Sequence, residues 1–202
     1  MRLVRLIAIL AAVVLALRYG VNVARGDGVF DEAWQMAKFF TILTNCGILV
    51  VFTRAALAGR LVGPNAAGAL TLFIAVVALV YHGFLYQGFS PVTIDFWIDH
   101  GLHTAIPALM IVYWFTLSDA RTIGVREATL WMVWPLSYLI YVLVRGSIEG
   151  SYPYFFLDID RFGIGRVTIN ALLLTVLFFG LGLGLIWLNR LWRRGQPPAQ
   201  EV

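Results

Sequence analysis

The residues able to do chemistry stand out as polar side chains inside otherwise apolar runs. Thr41, Thr44 and Asn45 are spaced i, i+3, i+4 and so share one helix face. His100, His103 and Thr104 repeat that spacing in Asp99-His100-Gly101-Leu102-His103-Thr104, and His82 lies four residues from Tyr86. A threonine hydroxyl becomes a useful nucleophile when a base within hydrogen-bond reach takes its proton, and neutral imidazole suits that task at ordinary pH. Attack on an ester carbonyl produces an oxyanion that needs fixed donors, for which Arg18, Asn45 and Asn170 are the available groups. Thr44, one turn beyond Thr41, is a second hydroxyl and a rival nucleophile. The long connection 145–164, with Tyr152-Pro153-Tyr154-Phe155-Phe156-Leu157-Asp158, is expected to fold back as an aromatic cover.

The elements that must position these groups follow from composition. The chain of 202 residues is 60% hydrophobic and 13% charged, against about 45–50% and about 25% in soluble domains. That excludes a soluble enzyme, a disordered chain and a nucleic-acid module; the net charge of +4 comes from basic residues dispersed singly between apolar runs. One cysteine, Cys46, lies inside an apolar stretch and forms no internal disulfide. A bilayer span takes about 20 apolar residues. Six such runs are expected: Leu6–Ala24, Trp34–Val51, Ala66–Gly88, Trp97–Leu117, Ala128–Val144 and Ile164–Leu188. The fold class is therefore an all-α, six-transmembrane-helix bundle over 1–192, with a short cytoplasmic tail over 193–202. The first run also has the outline of a signal peptide, but Arg18 interrupts it and Asn22-Val23-Ala24 is a poor cleavage site, so it is expected to stay as a span.

Orientation comes from the basic residues. Nine (Arg2, Arg5, Arg54, Arg60, Arg121, Arg126, Arg190, Arg193, Arg194) fall on one side and five on the other, the latter with most of the acids, which places both termini in the cytoplasm. Arg18, Thr41, His82 and His103 each lie six or seven residues inside the outer end of a run. At 1.5 Å per residue that is roughly 9–10 Å below the outer surface, and Asn170 falls at a similar level. The cytoplasmic half reads as almost unbroken Val, Leu, Ile, Ala and Phe. These positions predict a polar pocket in the outer half above a dry plug.

Three segments carry a resemblance: Lys38-Phe39-Phe40-Thr41, then His100-Gly101-Leu102-His103-Thr104 with Pro107 shortly after, then Tyr154-Phe155-Phe156-Leu157-Asp158. In order and spacing they resemble the androgen-induced and androgen-dependent transmembrane hydrolase family, and more closely its bacterial six-span relatives. The animal members hydrolyse fatty acid esters of hydroxy fatty acids with an intramembrane threonine and a histidine. The resemblance implies Thr41 as nucleophile and His103 as catalytic histidine, no metal or organic cofactor, and a membrane lipid ester as partner. It departs from the animal pattern in its short second-to-third connection, brief tail and the Thr44-Asn45 pair.

Each residue also has an ordinary reading. Threonine hydroxyls in membrane helices bond the preceding turn, histidines pack between helices, Arg18 can snorkel to headgroups, and Asp99 and Asp158 suit solvated interface positions, with orientation of a histidine as their functional alternative. Gly180-x-Gly182-x-Gly184 reads as close helix packing. Rival functions are a haem carrier using His82 with His103 or His100, a zinc hydrolase on the three histidines, a transporter, and a non-enzymatic scaffold or lipid-binding protein. The expectation carried forward is a Thr41/His103 ester hydrolase in a bacterial plasma membrane. His82 and His100 serve as supporting residues. Fourteen arginines against one lysine accord with a GC-rich bacterial genome.

Overall fold

The computed structural model describes residues 1–26, 28–86 and 92–194, and its regular structure is helical. Helix α1 is Arg2–Ala24, α2 Val29–Met36, α3 Phe40–Leu57 and α4 Pro64–Val80, which runs on as a π-helical turn over Tyr81–Leu85. Helix α5, Ile94–His100, passes through a second π-helical turn, Gly101–Ala105, into α6, Ile106–Leu117. Then come α7 (Val125–Trp131), α8 (Val133–Glu149), a single 3-10 turn at Phe155–Leu157, and α9 (Ile159–Arg193). Among the described residues five helices are long and apolar enough to cross a membrane: Arg2–Ala24, Phe40–Leu57, Pro64–Leu85, Val125–Glu149 and Ile159–Arg193. The run expected as the fourth span, Trp97–Leu117, is helical, but Asp95, Asp99, His100 and His103 dilute the apolar character of the α5–α6 stretch.

Helix α1 shows why this bundle suits lipid. Its stripe Val4, Ile7, Ala8, Ala11, Val14 and Leu15 is buried, while Leu6, Ile9, Val13 and Leu17 on the opposite face are 42–61% exposed. A surface helix of a water-soluble protein would carry polar residues there; apolar character all round marks a helix that meets protein on one side and lipid on the other. Helix α9 repeats the pattern with Ile169, Leu172, Leu173 and Val176 outward. The core between the helices is built from large buried side chains, among them Trp114, Tyr113, Phe52 and Met110. Gly68 permits the closest approach: a Cβ there would lie 2.6 Å from the Trp131 ring and 3.0 Å from that of Trp114.

Several expected boundaries shift for identifiable reasons. The run Trp34–Val51 is not one helix: the chain leaves helical geometry at Phe39 (φ −93°, ψ 126°), leaving Trp34 on the separate α2. Lys38 drives the break, its Nζ 2.7 Å from Glu149 and 2.9 Å from Ser151, and the carbonyls this frees accept from Tyr138 (2.6 Å, on Lys38) and Tyr141 (3.2 Å, on Ala37). In α9 a left-handed Gly163 (φ 73°) separates the first turn from the apolar run beginning at Ile164. Asp158 caps that first turn, accepting from the Arg161 N–H at 2.9 Å, so its carboxylate belongs to helix termination. Of the three glycines after Phe179, Gly182 alone has a neighbour within 4 Å of an added Cβ, Leu72 at 3.2 Å, so the close-packing reading holds for one position.

The plug expected from the sequence at the end opposite the histidines is less dry than it reads. Thr71, Ser118, Asn189 and Arg193 are buried there or nearby. Helix α6 ends at Leu117 with unsatisfied carbonyls, and Asn189 answers them, donating to Trp114 O at 2.6 Å while its own oxygen accepts from the Ala120 N–H at 3.0 Å. Arg190 and Arg193 bond the carbonyls of Ala120 and Ser118. Arg193 thus belongs to α9, and residues 195–202 of the expected tail lie outside the described residues.

Candidate active site

The opposite end of the bundle holds a cavity between α3, α4, α8, α9 and the Phe155–Leu157 turn. Thr41 and His103 both line it. Their polar company on the wall is Tyr81, Tyr138, Tyr154 and Thr175; the remaining lining is apolar, with Phe40, Val77, Leu139 and Phe178 typical.

Thr41 stands in the first turn of α3, one residue after the helix begins. N–H groups of a first turn have no partner within their own helix. Tyr154 supplies one: the Phe40 N–H donates to its hydroxyl oxygen at 3.1 Å, and the Thr41 hydroxyl also hydrogen-bonds Tyr154. The same hydroxyl also meets that of Tyr138, whose own proton goes to the Lys38 carbonyl at 2.6 Å, so the Tyr154 proton has Tyr138 and Thr41 as its acceptors and a bound oxyanion would compete with them. Burial pushes the Tyr154 phenol up from its ordinary value, so it stays a donor. The same turn brings Phe156 and Leu157 to the cavity wall, with Tyr154 and Phe156 stacked at 5.3 Å.

His103 sits inside the π-helical turn that follows α5, and the residue facing it, Tyr81, opens the π-helical turn that follows α4. The rings stack at 3.8 Å and 10°. Such turns insert an extra residue and re-aim side chains, and they concentrate at functional sites. His103 Nδ1 lies 2.9 Å from the Asp99 carbonyl oxygen, so that nitrogen carries the proton and Nε2 keeps its lone pair. The Asp99 carboxylate is 3.9 Å from the same Nδ1; it accepts from Arg18 at 2.6 Å and from the Tyr81 hydroxyl at 3.1 Å. Asp99 is 8% exposed. Its sequence position reads as interfacial, yet it is the hub joining α1, α4 and the histidine helix.

The other expected site residues are placed elsewhere. Arg18 does not face the cavity: it is paired with Asp99 and, at 3.3 Å, with Asp95. Asn45, fully buried, donates to the Thr41 carbonyl at 2.8 Å, and its own carbonyl oxygen has no partner among the described residues. Asn170 donates to the Phe156 carbonyl at 2.8 Å and so anchors the aromatic turn to α9. Thr44 turns toward α8, where Trp134 Nε1 approaches its hydroxyl at 3.5 Å. His82 is exposed and bonded to Thr104 at 3.0 Å, while His100 bonds its own helix at Phe96 O and stacks on that ring. None of these six lines the cavity. Among the described residues no three His, Cys, Asp or Glu side chains converge as a metal site.

Tyr154 escapes sequence reasoning, whereas Asp99 is offered there as an orienter of a histidine beside its interfacial reading. Tyr154 is visible as part of an aromatic segment, but nothing in that segment says that its hydroxyl caps α3. Asp99 is visible four residues before His103, a spacing that places it on the histidine's face. Comparison with known proteins finds no family model, no curated protein and no solved structure that matches the chain.

Proposed function

We propose that the protein is an intramembrane carboxylic ester hydrolase in which Thr41 is the nucleophile and His103 the general base. The observation that carries this reading is that the two residues share one mostly apolar cavity, with His103 held in the tautomer whose Nε2 can accept a proton. The resemblance to the androgen-induced and androgen-dependent hydrolases points to the same pair.

In this mechanism Nε2 of His103 takes the Thr41 proton as the hydroxyl oxygen attacks the ester carbonyl. The start of α3 favours negative charge at that place, and the Tyr154 hydroxyl, polarised by the Phe40 N–H, donates to the oxyanion. This reassigns the oxyanion role from Arg18, Asn45 and Asn170, which face away. Protonated His103 then gives its proton to the departing alkoxide, leaving an acyl-Thr41 ester. Water, deprotonated by His103, releases the acid and restores the hydroxyl. Asp99 stabilises the imidazolium through both steps while Arg18 and Tyr81 fix its carboxylate. On this reading the chain makes six spans with both termini cytoplasmic, and the α5–α6 stretch counts as one because paired charges such as Arg18–Asp99 are tolerable within a bundle.

The test is turnover of a fatty acyl ester panel by purified protein, wild type against Thr41→Ala and His103→Ala. Both variants are expected to lose activity. Equal turnover in all three removes the mechanism, and loss only in Thr44→Ala moves the nucleophile to Thr44. Binding of the esters without any turnover favours the second reading, a lipid-binding protein, for which the apolar majority of the lining speaks.

A further inference from the structure

Three cations around this end of the bundle are held by carboxylates, while Arg161 and Arg166 are exposed on α9 and line neither the cavity nor the cleft beside it. Arg18 holds Asp99 and Asp95, Lys38 holds Glu149 at 2.7 Å, and Arg145 bonds Glu149 at 2.7 Å while its guanidinium lies 3.9 Å over the Trp34 ring. Among the described residues no lysine or arginine lines the cavity. A carboxylate taken into such a space would be desolvated with no ion partner, which strongly disfavours its charged form.

A second space lies beside the cavity. It is a cleft between α8 and α9 that shares Leu136, Leu139, Ala171 and Thr175 with the cavity wall, so the two adjoin across those four side chains. It runs on past Leu143 and Leu172, away from Thr41. The hydroxyls bordering it are satisfied by their own helix, Thr168 on Ile164 O at 2.9 Å and Thr175 on Ala171 O at 2.8 Å, so the cleft offers a hydrocarbon wall and no polar handle. Leu172 is 60% exposed on the bundle surface, the face that meets lipid in the membrane reading.

We propose that the site is built for an electrically neutral lipid ester whose acyl chain leaves the cavity sideways through the cleft between α8 and α9. This rests on the hydrolase reading and departs from the substrate the resemblance implies: a fatty acid ester of a hydroxy fatty acid keeps a free carboxylate and is selected against here, and chain length is read between Leu143 and Leu172.

Two measurements on the purified full chain in detergent test it. The first compares a branched fatty acid ester bearing a free carboxylate with the same molecule capped as its methyl ester, following cleavage of the internal ester bond. The capped form is expected to have the higher kcat/KM by about tenfold or more; equal values, or preference for the free acid, overturn the neutral-substrate inference. The second compares long-chain with short-chain acyl esters in wild type, Leu172→Trp and Leu143→Phe. The long-to-short ratio of kcat/KM is expected to fall about tenfold when the cleft is filled; an unchanged ratio, or a parallel loss of both substrates in both variants, overturns the lateral path. Thr41→Ala runs beside each measurement. If it cleaves as fast as wild type, or if wild type cleaves nothing, the hydrolase reading fails, an outcome separate from a wrong preference among esters that are cleaved.

Discussion

Replacing Asp99 with asparagine removes one charge, keeps the side chain's shape and leaves the backbone carbonyl that sets the His103 tautomer in place. The carboxylate is 3.9 Å from His103 Nδ1, and two unit charges about 4 Å apart at an effective dielectric of about 20 interact by roughly 4 kcal/mol. Arg18, 2.6 Å from the same carboxylate, offsets part of that attraction, leaving about 1–3 kcal/mol for the developing imidazolium. The expected loss is therefore about 5- to 150-fold in kcat. It should be far milder than in a triad whose aspartate also chooses the tautomer, because here the Asp99 main chain does that. KM should stay near wild type, since Asp99 does not line the cavity.

Stability moves as well. Breaking a buried pair costs about 3–5 kcal/mol when the surviving charge is stranded, but Arg18 retains Asp95 at 3.3 Å, which reduces the expected cost to about 1–3 kcal/mol. Steady-state kinetics at saturating ester and thermal unfolding in one detergent give the two numbers. A variant with wild-type kcat and lowered thermal stability makes Asp99 a packing residue only. A raised KM with unchanged kcat would refute the placement of Asp99 outside the substrate's reach.

Tyr154→Phe strands the Phe40 N–H and removes the proposed oxyanion donor; it should destabilise by about 1–3 kcal/mol and lower kcat more than it raises KM, read by thermal unfolding and ester kinetics. Gly101→Ala places a Cβ 2.7 Å from a methyl group of Val14, so α1 and the histidine helix must separate, at about 1–3 kcal/mol of overpacking measurable in the same unfolding assay. Asp95, in the first turn of α5, is held below its ordinary value of 3.8 chiefly by the hydrogen bond from Arg25. A carboxylate depressed in the folded state stabilises most above its unfolded value and loses that contribution as pH falls, so the stability gap between wild type and Asp95→Asn should narrow as pH drops from about 6 toward about 3. High salt should also narrow it, since the Arg25 side chain is 52% exposed.

What the sequence offers about this site is depth, and what it conceals is azimuth. Counting residues at about 1.5 Å each from the end of an apolar run puts Arg18, Thr41, His82 and His103 at one expected level, although the break at Phe39 takes the helical count away from Thr41. The structure brings Thr41 and His103 to one cavity and sets Arg18 on Asp99 behind the Tyr81–His103 stack. Which way each side chain points around its helix depends on the helix neighbours, and a run that is apolar on every side has no polar stripe to tell its lipid face from its buried one. Arg18 therefore reads as an oxyanion donor until Asp99 is seen to claim it, and Asn45 until it is seen bonded to the Thr41 carbonyl. The π-helical turn at Tyr81–Leu85 is hidden for a related reason, since no proline marks it, whereas the one at Gly101–Ala105 has a mark in Pro107, which has no N–H for the His103 carbonyl four residues back. Without them, i, i+4 arithmetic on a regular α-helix puts Asp99 and His103 on one face but does not aim that face at Tyr81. The break before Phe40 is legible in principle, because Lys38 inside an apolar run needs a partner; only the fold reveals that the partner is Glu149, 111 residues on. That break is what makes Thr41 a first-turn residue. A continuous helix from Trp34 would have given the Phe40 N–H a carbonyl of its own and left Tyr154 nothing to cap, so the charge that spoils the expected span also exposes the helix start on which the proposed chemistry depends.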